Sequence, residues 1–333
     1  MPLGPQKIDM QESLRRVANG GLPIRASLRL AEEAGPKKKL WTSDLSVNEF
    51  LLTRESNCQI ISQVMGSSIY HIGRIPDYKG SQNGSNTYEI PLISRAHREA
   101  RAAALRRLQL EAEAVQADVV IGVHLEERLI TKGAHGKGGD DGDEVIEFTV
   151  VGTAVKVPGV RLAAGPVLTD LSGQDFWALV REGWGPCGIV FDFCRWHVWH
   201  VLKTWLASGE VQLATDAIDR ARARVETAVL RQARDMGAEY VIGSDLKVRV
   251  KEVPCGFHEC HLNDLDVDVS WFGTGVRRLS TAERPAKLDV PPLVLGMIPL
   301  DRKSRRDQIE EEDDSEELKK AGEAEEERAS HGE

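Results

Sequence analysis

The residues best equipped for chemistry lie close together late in the chain: Cys255, His258, Cys260 and His261 fall within seven positions. Thiolate and imidazole are the donors that zinc and other soft divalent metals prefer. Cys194 is the further thiol that could complete such a set, and it stands beside His197 and His200 in a run interleaved with Trp196, Trp199 and Trp205. On a helix, Cys194 and His197 would share one face, and Trp196 and His200 would share another. Against a metal site, four ligands packed so tightly in one turn rarely close around a single tetrahedral ion, and the competing reading is an exposed polar loop. The loop Lys132–Asp143 is rich in Gly and Asp, but it lacks the spacing and closing Glu of a calcium loop. No Gly-Lys-Ser/Thr follows its glycines, so it is no phosphate loop either. His71, His97 and His124 occur singly, with no nucleophile and base paired around them, and no catalytic residue is assigned.

The elements that must position these groups recur. Ala-Asp-Val-Val-Ile-Gly-Val-His-Leu at 117–125 matches Ala-Glu-Tyr-Val-Ile-Gly-Ser-Asp-Leu at 238–246, an offset of 121. Val151-Gly-Thr matches Phe272-Gly-Thr at the same offset. Upstream, Asp44-Leu45-Ser46 and Phe50 match Asp170-Leu171-Ser172 and Phe176 at 126, and Arg54-Glu55 match Arg181-Glu182 at 127. Ordered matches at steady offsets predict one unit written twice. At offset 127, His71 aligns with Val198, so none of the three early histidines recurs.

Each unit predicts the same elements. A short helix starts near Asp44 or Asp170, with Asp or Ser to cap it. A strand follows at Gln59–Met65 or Gly188–Phe193, then a long helix over about 94–116 or 215–236. The helices carry Ala100, Ala104, Leu108 and Ala112, or Ala217, Ala221 and Val225, as apolar stripes. Strands then run over Val119–Leu125 or Tyr240–Leu246 and return along Val145–Val157 or Leu265–Arg278. The fold class is α+β: two tandem two-layer units, each with one long helix on a short, mainly antiparallel sheet. The expected boundaries are a loosely ordered arm at 1–40 with one short helix near Gln11–Val17, a first unit at 41–160, a second at 161–285, and a linker and tail at 286–333. Small sheets of this kind leave edges bare unless something pairs with them, so association within or between chains is expected.

Charge separates the tail from the body. The chain has 52 acidic and 43 basic residues; Asp307–Glu333 holds 13 and 3 of them, leaving 39 and 40 for the body. The tail is expected to be disordered, and a near-neutral body argues against nucleic acid. No apolar run approaches a membrane span, no basic amphipathic face favours the membrane surface, and five cysteines at uneven spacing suit a reducing cytoplasm. Six of the seven tryptophans stand in the second unit (177, 184, 196, 199, 205 and 271), which suits a protein interface.

Val-Met-Gly-Ser-Ser-Ile-Tyr at 64–70, Ala-Asp-Val-Val-Ile-Gly-Val at 117–123 and Val-Gly-Thr-Ala-Val-Lys at 151–156 resemble the YbjQ-type family, also labelled a heavy-metal-binding domain. The likeness covers about 58–157 well and 188–278 more weakly. It implies a small α/β-layered subunit that assembles into a ring, typically a pentamer. The reading drawn from all of this is a non-enzymatic oligomeric binding or scaffold protein, a homo-oligomeric ring of tandem YbjQ-like domains. The alternative is a zinc-type metal-binding or sensing protein using Cys255, His258, Cys260, His261 and Cys194.

Overall fold

A computed structural model describes residues 9–33, 42–56, 58–72, 87–131, 144–157, 162–163, 165–199, 210–254, 263–281 and 283. The tail and the loops 132–143, 200–209 and 255–262 lie outside the described residues, and with them the expectations for the acidic tail, the Gly/Asp loop and the Cys/His turn. The described residues all fall within one compact unit, Met1–Pro291.

The expected short N-terminal helix is α1 (Met10–Ala18), capped by Asp9, and a second helix the sequence reading missed, α2 (Ile24–Glu33), follows it. α3 (Val47–Glu55) begins at a capping box in which Ser46 and Glu49 satisfy each other's backbone N–H groups. Then come β1 (Gln59–His71), the short β2 (Thr87–Glu89), α4 (Pro91–Ala114), β3 (Val119–Thr131) and β4 (Glu144–Lys156). The second half has β5 (Val167–Leu168), α5 (Gly173–Arg181) with Ser172 as its cap, β6 (Trp184–Val198), α6 (Gln212–Asp235), β7 (Tyr240–Pro254) and β8 (Asn263–Arg278).

These form two four-stranded sheets, ordered β1-β4-β3-β5 and β2-β6-β8-β7. The α+β class is as expected. The strands are much longer than the apolar runs implied, because their polar ends stay hydrogen-bonded in register: β1 pairs β4 from Gln59 to His71, and β6 pairs β8 from Trp184 to Val198.

The two halves follow one plan in detail. In β3 the register slips between Ile121 and His124, and in β7 between Ile242 and Asp245. Gly122 and Gly243 sit in these bulges at φ 64°, a left-handed backbone that a side chain would strain. A second slip recurs between Ile60 and Ser62 in β1 and between Pro186 and Gly188 in β6. Asp44 N–H donates to Thr153 Oγ1, and Asp170 N–H donates to Thr274 Oγ1, each at 3.1 Å.

This register corrects the upstream alignment. The caps Ser46 and Ser172, the helices α3 and α5, and the strands β1 and β6 all correspond at 126. The Arg-Glu match at 127 is therefore fortuitous, and His71 corresponds to His197 rather than to Val198.

The halves also exchange strands. β2, from the first half, pairs antiparallel with β6 of the second; β5, from the second, pairs parallel with β3 of the first. Pieces of two or three residues carry no periodicity of their own, so the sequence does not announce them. α4 packs on β1 and β4 on one side and reaches β6 on the other, while α6 covers the far face of β6 and β8. The opposite face of the first sheet closes against α5 through Val119, Ile121, Val155, Phe176 and Trp177.

Candidate functional site

The chemically densest region lies where α4 meets the second sheet. A β-strand alternates its side chains, so Cys194 and Trp196 point from β6 toward α6, while Phe193, Arg195 and His197 point toward α4. The helical arrangement expected for Cys194 and His197 is thus replaced by a strand, and they stand on opposite faces. His200 lies outside the described residues.

On the α4 side every backbone group of Arg195 is engaged. Its N–H donates to Ser94 Oγ at 3.0 Å, and its carbonyl accepts from Ile90 N–H at 2.8 Å. The His97 ring stacks on Phe193 with centroids 3.7 Å apart and meets Phe148 edge-on. The Arg101 guanidinium lies 5.1 Å from the Phe148 ring centre and donates to Glu127 at 2.9 Å. Arg195 grips Asp268 with two bonds, Nε to Oδ1 at 2.5 Å and Nη2 to Oδ2 at 2.7 Å. His197 Nδ1 lies 2.7 Å from Asp266 Oδ1, and its Nε2 lies 3.4 Å from Asp264 Oδ2. His97, Arg101, Arg195, His197, Asp264, Asp266 and Asp268 are all buried.

These neighbours set the protonation states. Burial pushes Glu127 up, but His97 at 3.1 Å and the charge of Arg101 outweigh it and hold the carboxyl at about 2. Burial lowers His97, only partly offset by Glu127, so its imidazole is neutral at pH 7. Burial also lowers His197, yet the two aspartates overcome this and raise it to about 8, leaving an imidazolium between carboxylates.

This region holds rather than reacts. Each cation is matched to a fixed anion, and the nearby thiol is unsuited to attack: burial, reinforced by the charge of Glu89, pushes Cys194 up to about 12. What such a layer does well is hold the face of the second sheet that meets α4 in one geometry, since a bidentate cross-strand pair tolerates little displacement.

The metal expectation fares less simply. Cys255, His258, Cys260 and His261 lie outside the described residues, so the structure neither gathers nor scatters them. The last described pair at the base of their turn is Pro254 with Asn263, whereas Cys194 pairs with Val269. Six residues at ~3.3 Å each place Cys194 roughly 20 Å along the sheet from that turn. Among the described residues, no group of three or more His, Cys, Asp or Glu side chains is arranged to hold a metal ion. The described residues therefore do not fit a metal. His124 lies 3.2 Å from Asp44, and His71 is exposed at the end of β1.

The sequence reading missed Arg195, Asp264, Asp266 and Asp268. Its available signal was the alternation Asp264-Leu-Asp266-Val-Asp268-Val, which aligns three carboxylates on one face of a strand.

A family model described as "Putative heavy-metal-binding", the YbjQ type, matches residues 61–158. The encapsulin nanocompartment protein Rv1762c of Mycobacterium tuberculosis is 32% identical over 263 residues, covering 76% of this chain and 92% of that protein. This chain belongs to the same family. Because 263 aligned residues cannot fit within the 61–158 match, the likeness reaches well beyond it into the second half. No solved structure matches the chain significantly. No helix among the described residues is long and apolar enough to cross a membrane.

Proposed function

We propose that this protein is a non-enzymatic, self-assembling scaffold built from two tandem YbjQ-like units, and that its chains close into a ring that serves a protein nanocompartment. The observation that carries this reading is the way the two halves recognise one another. They exchange β2 and β5, and α4 of the first half docks on β6 of the second, where Ser94 Oγ accepts from the Arg195 N–H and the His97 ring stacks on Phe193. A unit that docks on a copy of itself within one chain carries the surfaces needed to dock between chains. The mycobacterial relative's name, an encapsulin nanocompartment protein, points to the same class of activity. The two aligned halves are read as a duplication, with the second unit divergent.

Light scattering coupled to size exclusion tests the proposal. A discrete mass several times that of one chain, unchanged on dilution through the micromolar range, is the expected result. A single chain mass across that range would refute it.

A metal reading draws on the description of the matching family and rests on Cys255, His258, Cys260 and His261. Elemental analysis of purified protein, beside a Cys255→Ser/Cys260→Ser variant, tests it; absence of stoichiometric metal from both samples would sink it.

A further inference from the structure

The junction inside the chain is a template with two unfilled counterparts. In the first half, the outer edge of β3 is occupied: Gly122 N–H donates to the Leu171 carbonyl at 2.8 Å, Val123 N–H to Thr169 at 2.9 Å, and Thr169 N–H to Val120 at 3.0 Å. The corresponding groups of β7 include the Val241 carbonyl and the Gly243 N–H, and neither has a backbone hydrogen-bond partner outside its own sheet among the described residues. The segment corresponding to 169–171 is Ser43–Leu45. It is already seated on its own sheet as its counterpart is: Leu45 N–H donates to Ser43 Oγ as Leu171 N–H does to Thr169 Oγ1. Asp44 N–H likewise bonds Thr153 as Asp170 does Thr274. The outward Ser43 N–H and Leu45 carbonyl have no partner among the described residues.

Side chains tell the same story. At the internal junction β6 presents Phe193 and Arg195 to α4, and Arg195 is 2% exposed. The corresponding β1 positions are Ser67 and Ile69, and Ile69 is 71% exposed, with Met65 on the same face also exposed. On the opposite side of the junction Val119 is 0% exposed, whereas its counterpart Tyr240 is 61% exposed. On the other face of β7, the one that β8 shares with α6, Leu246, Val248 and Val250 form a bare apolar row paired with Trp271, Val269 and Val267. One end of the chain thus displays the first half's version of a surface that is buried internally, and the other end displays the second half's.

We infer that a second copy of this chain fills both gaps head to tail: Ser43–Leu45 of one chain adds as a parallel strand to the edge of β7 in the next. The Met65–Ile69 face of β1 then packs against the Leu246–Val250 face and α6 of that neighbour. The contact is heterologous, using different surfaces on the two partners, so repetition yields a closed ring or an open filament rather than an isolated dimer. The inference rests on the self-assembly reading and specifies its interface.

The test mixes two broken chains. Ile69→Glu damages only the β1 face, and Val248→Glu only the β7 face; both residues are exposed, and circular dichroism confirms that each variant folds. Should Ile69→Glu fail to fold, Met65→Glu replaces it. Each variant alone is expected at the mass of one chain, and an equimolar mixture at twice that mass and no higher, because one intact contact joins them and both outer ends are blocked. A wild-type assembly with either variant retaining its full size, or a mixture remaining monomeric, would overturn the head-to-tail contact while leaving self-assembly standing. A wild-type chain that never assembles would remove the reading on which it depends.

Discussion

Replacing Asp268 with Asn tests whether the face of the second sheet that meets α4 is held by a desolvated ion pair between β6 and β8. Arg195 is buried, and both of its bonds to Asp268 are short. Lys251 stands 3.8 Å from the same carboxylate. Removing one partner of a buried pair strands the other charge, at a cost of about 3–5 kcal/mol. Asn keeps the shape and one acceptor, which argues for the lower figure, about 3 kcal/mol. That lowers the folding equilibrium constant roughly a hundredfold and shifts a urea midpoint by about 1–2 M for an ordinary m-value. Urea titrations followed by tryptophan fluorescence and circular dichroism measure it, at one fixed protein concentration because assembly would couple to stability. Arg195→Met combined with Asp268→Leu should cost less than Asp268→Asn alone, since no charge is left unpaired. A loss below about 1 kcal/mol for Asp268→Asn would refute the reasoning.

Three further outcomes follow from the same structure. Folded His197 titrates near 8 against an ordinary 6.5, so its imidazolium contributes stability fully below pH 6.5 and loses that contribution as pH rises through 8. The contribution is about 2 kcal/mol, and thermal denaturation of wild type against His197→Gln should show the pH 6–9 slope vanish in the variant. Gln116 adopts φ 57° after α4 where Gly237 takes 73° after α6, so Gln116→Gly should stabilise the protein by up to about 1 kcal/mol; a lower melting temperature would contradict this. Cys194 should resist thiol reagents until the protein unfolds, and mass mapping of labelled native protein that finds it modified would show its packing against α6 to be wrong.

Much of the architecture was legible because glycine and core positions announce it. The Val-Ile-Gly landmarks mark two bulges with one geometry, and the alanine stripes mark the helix faces that close on the sheets. The far ends of the strands were not legible, because there the buried residues are ionic. Glu127 on β3 and Arg195 and His197 on β6 read as solvent-facing by composition, yet each lies against a partner from another element. β2 and β5 were invisible for a different reason: tertiary pairing alone makes them strands. The Cys/His turn that looked most chemical in the sequence lies outside the described residues, while the aspartate alternation on β8 marked the charged layer and was passed over.

The central claim is that this chain joins its own kind through the surfaces that join its halves. The native mass of the untagged protein, measured by light scattering across a dilution series, tests it most directly. A constant multiple of the 36.8 kDa chain is the predicted result, and a lone chain at every concentration would contradict it.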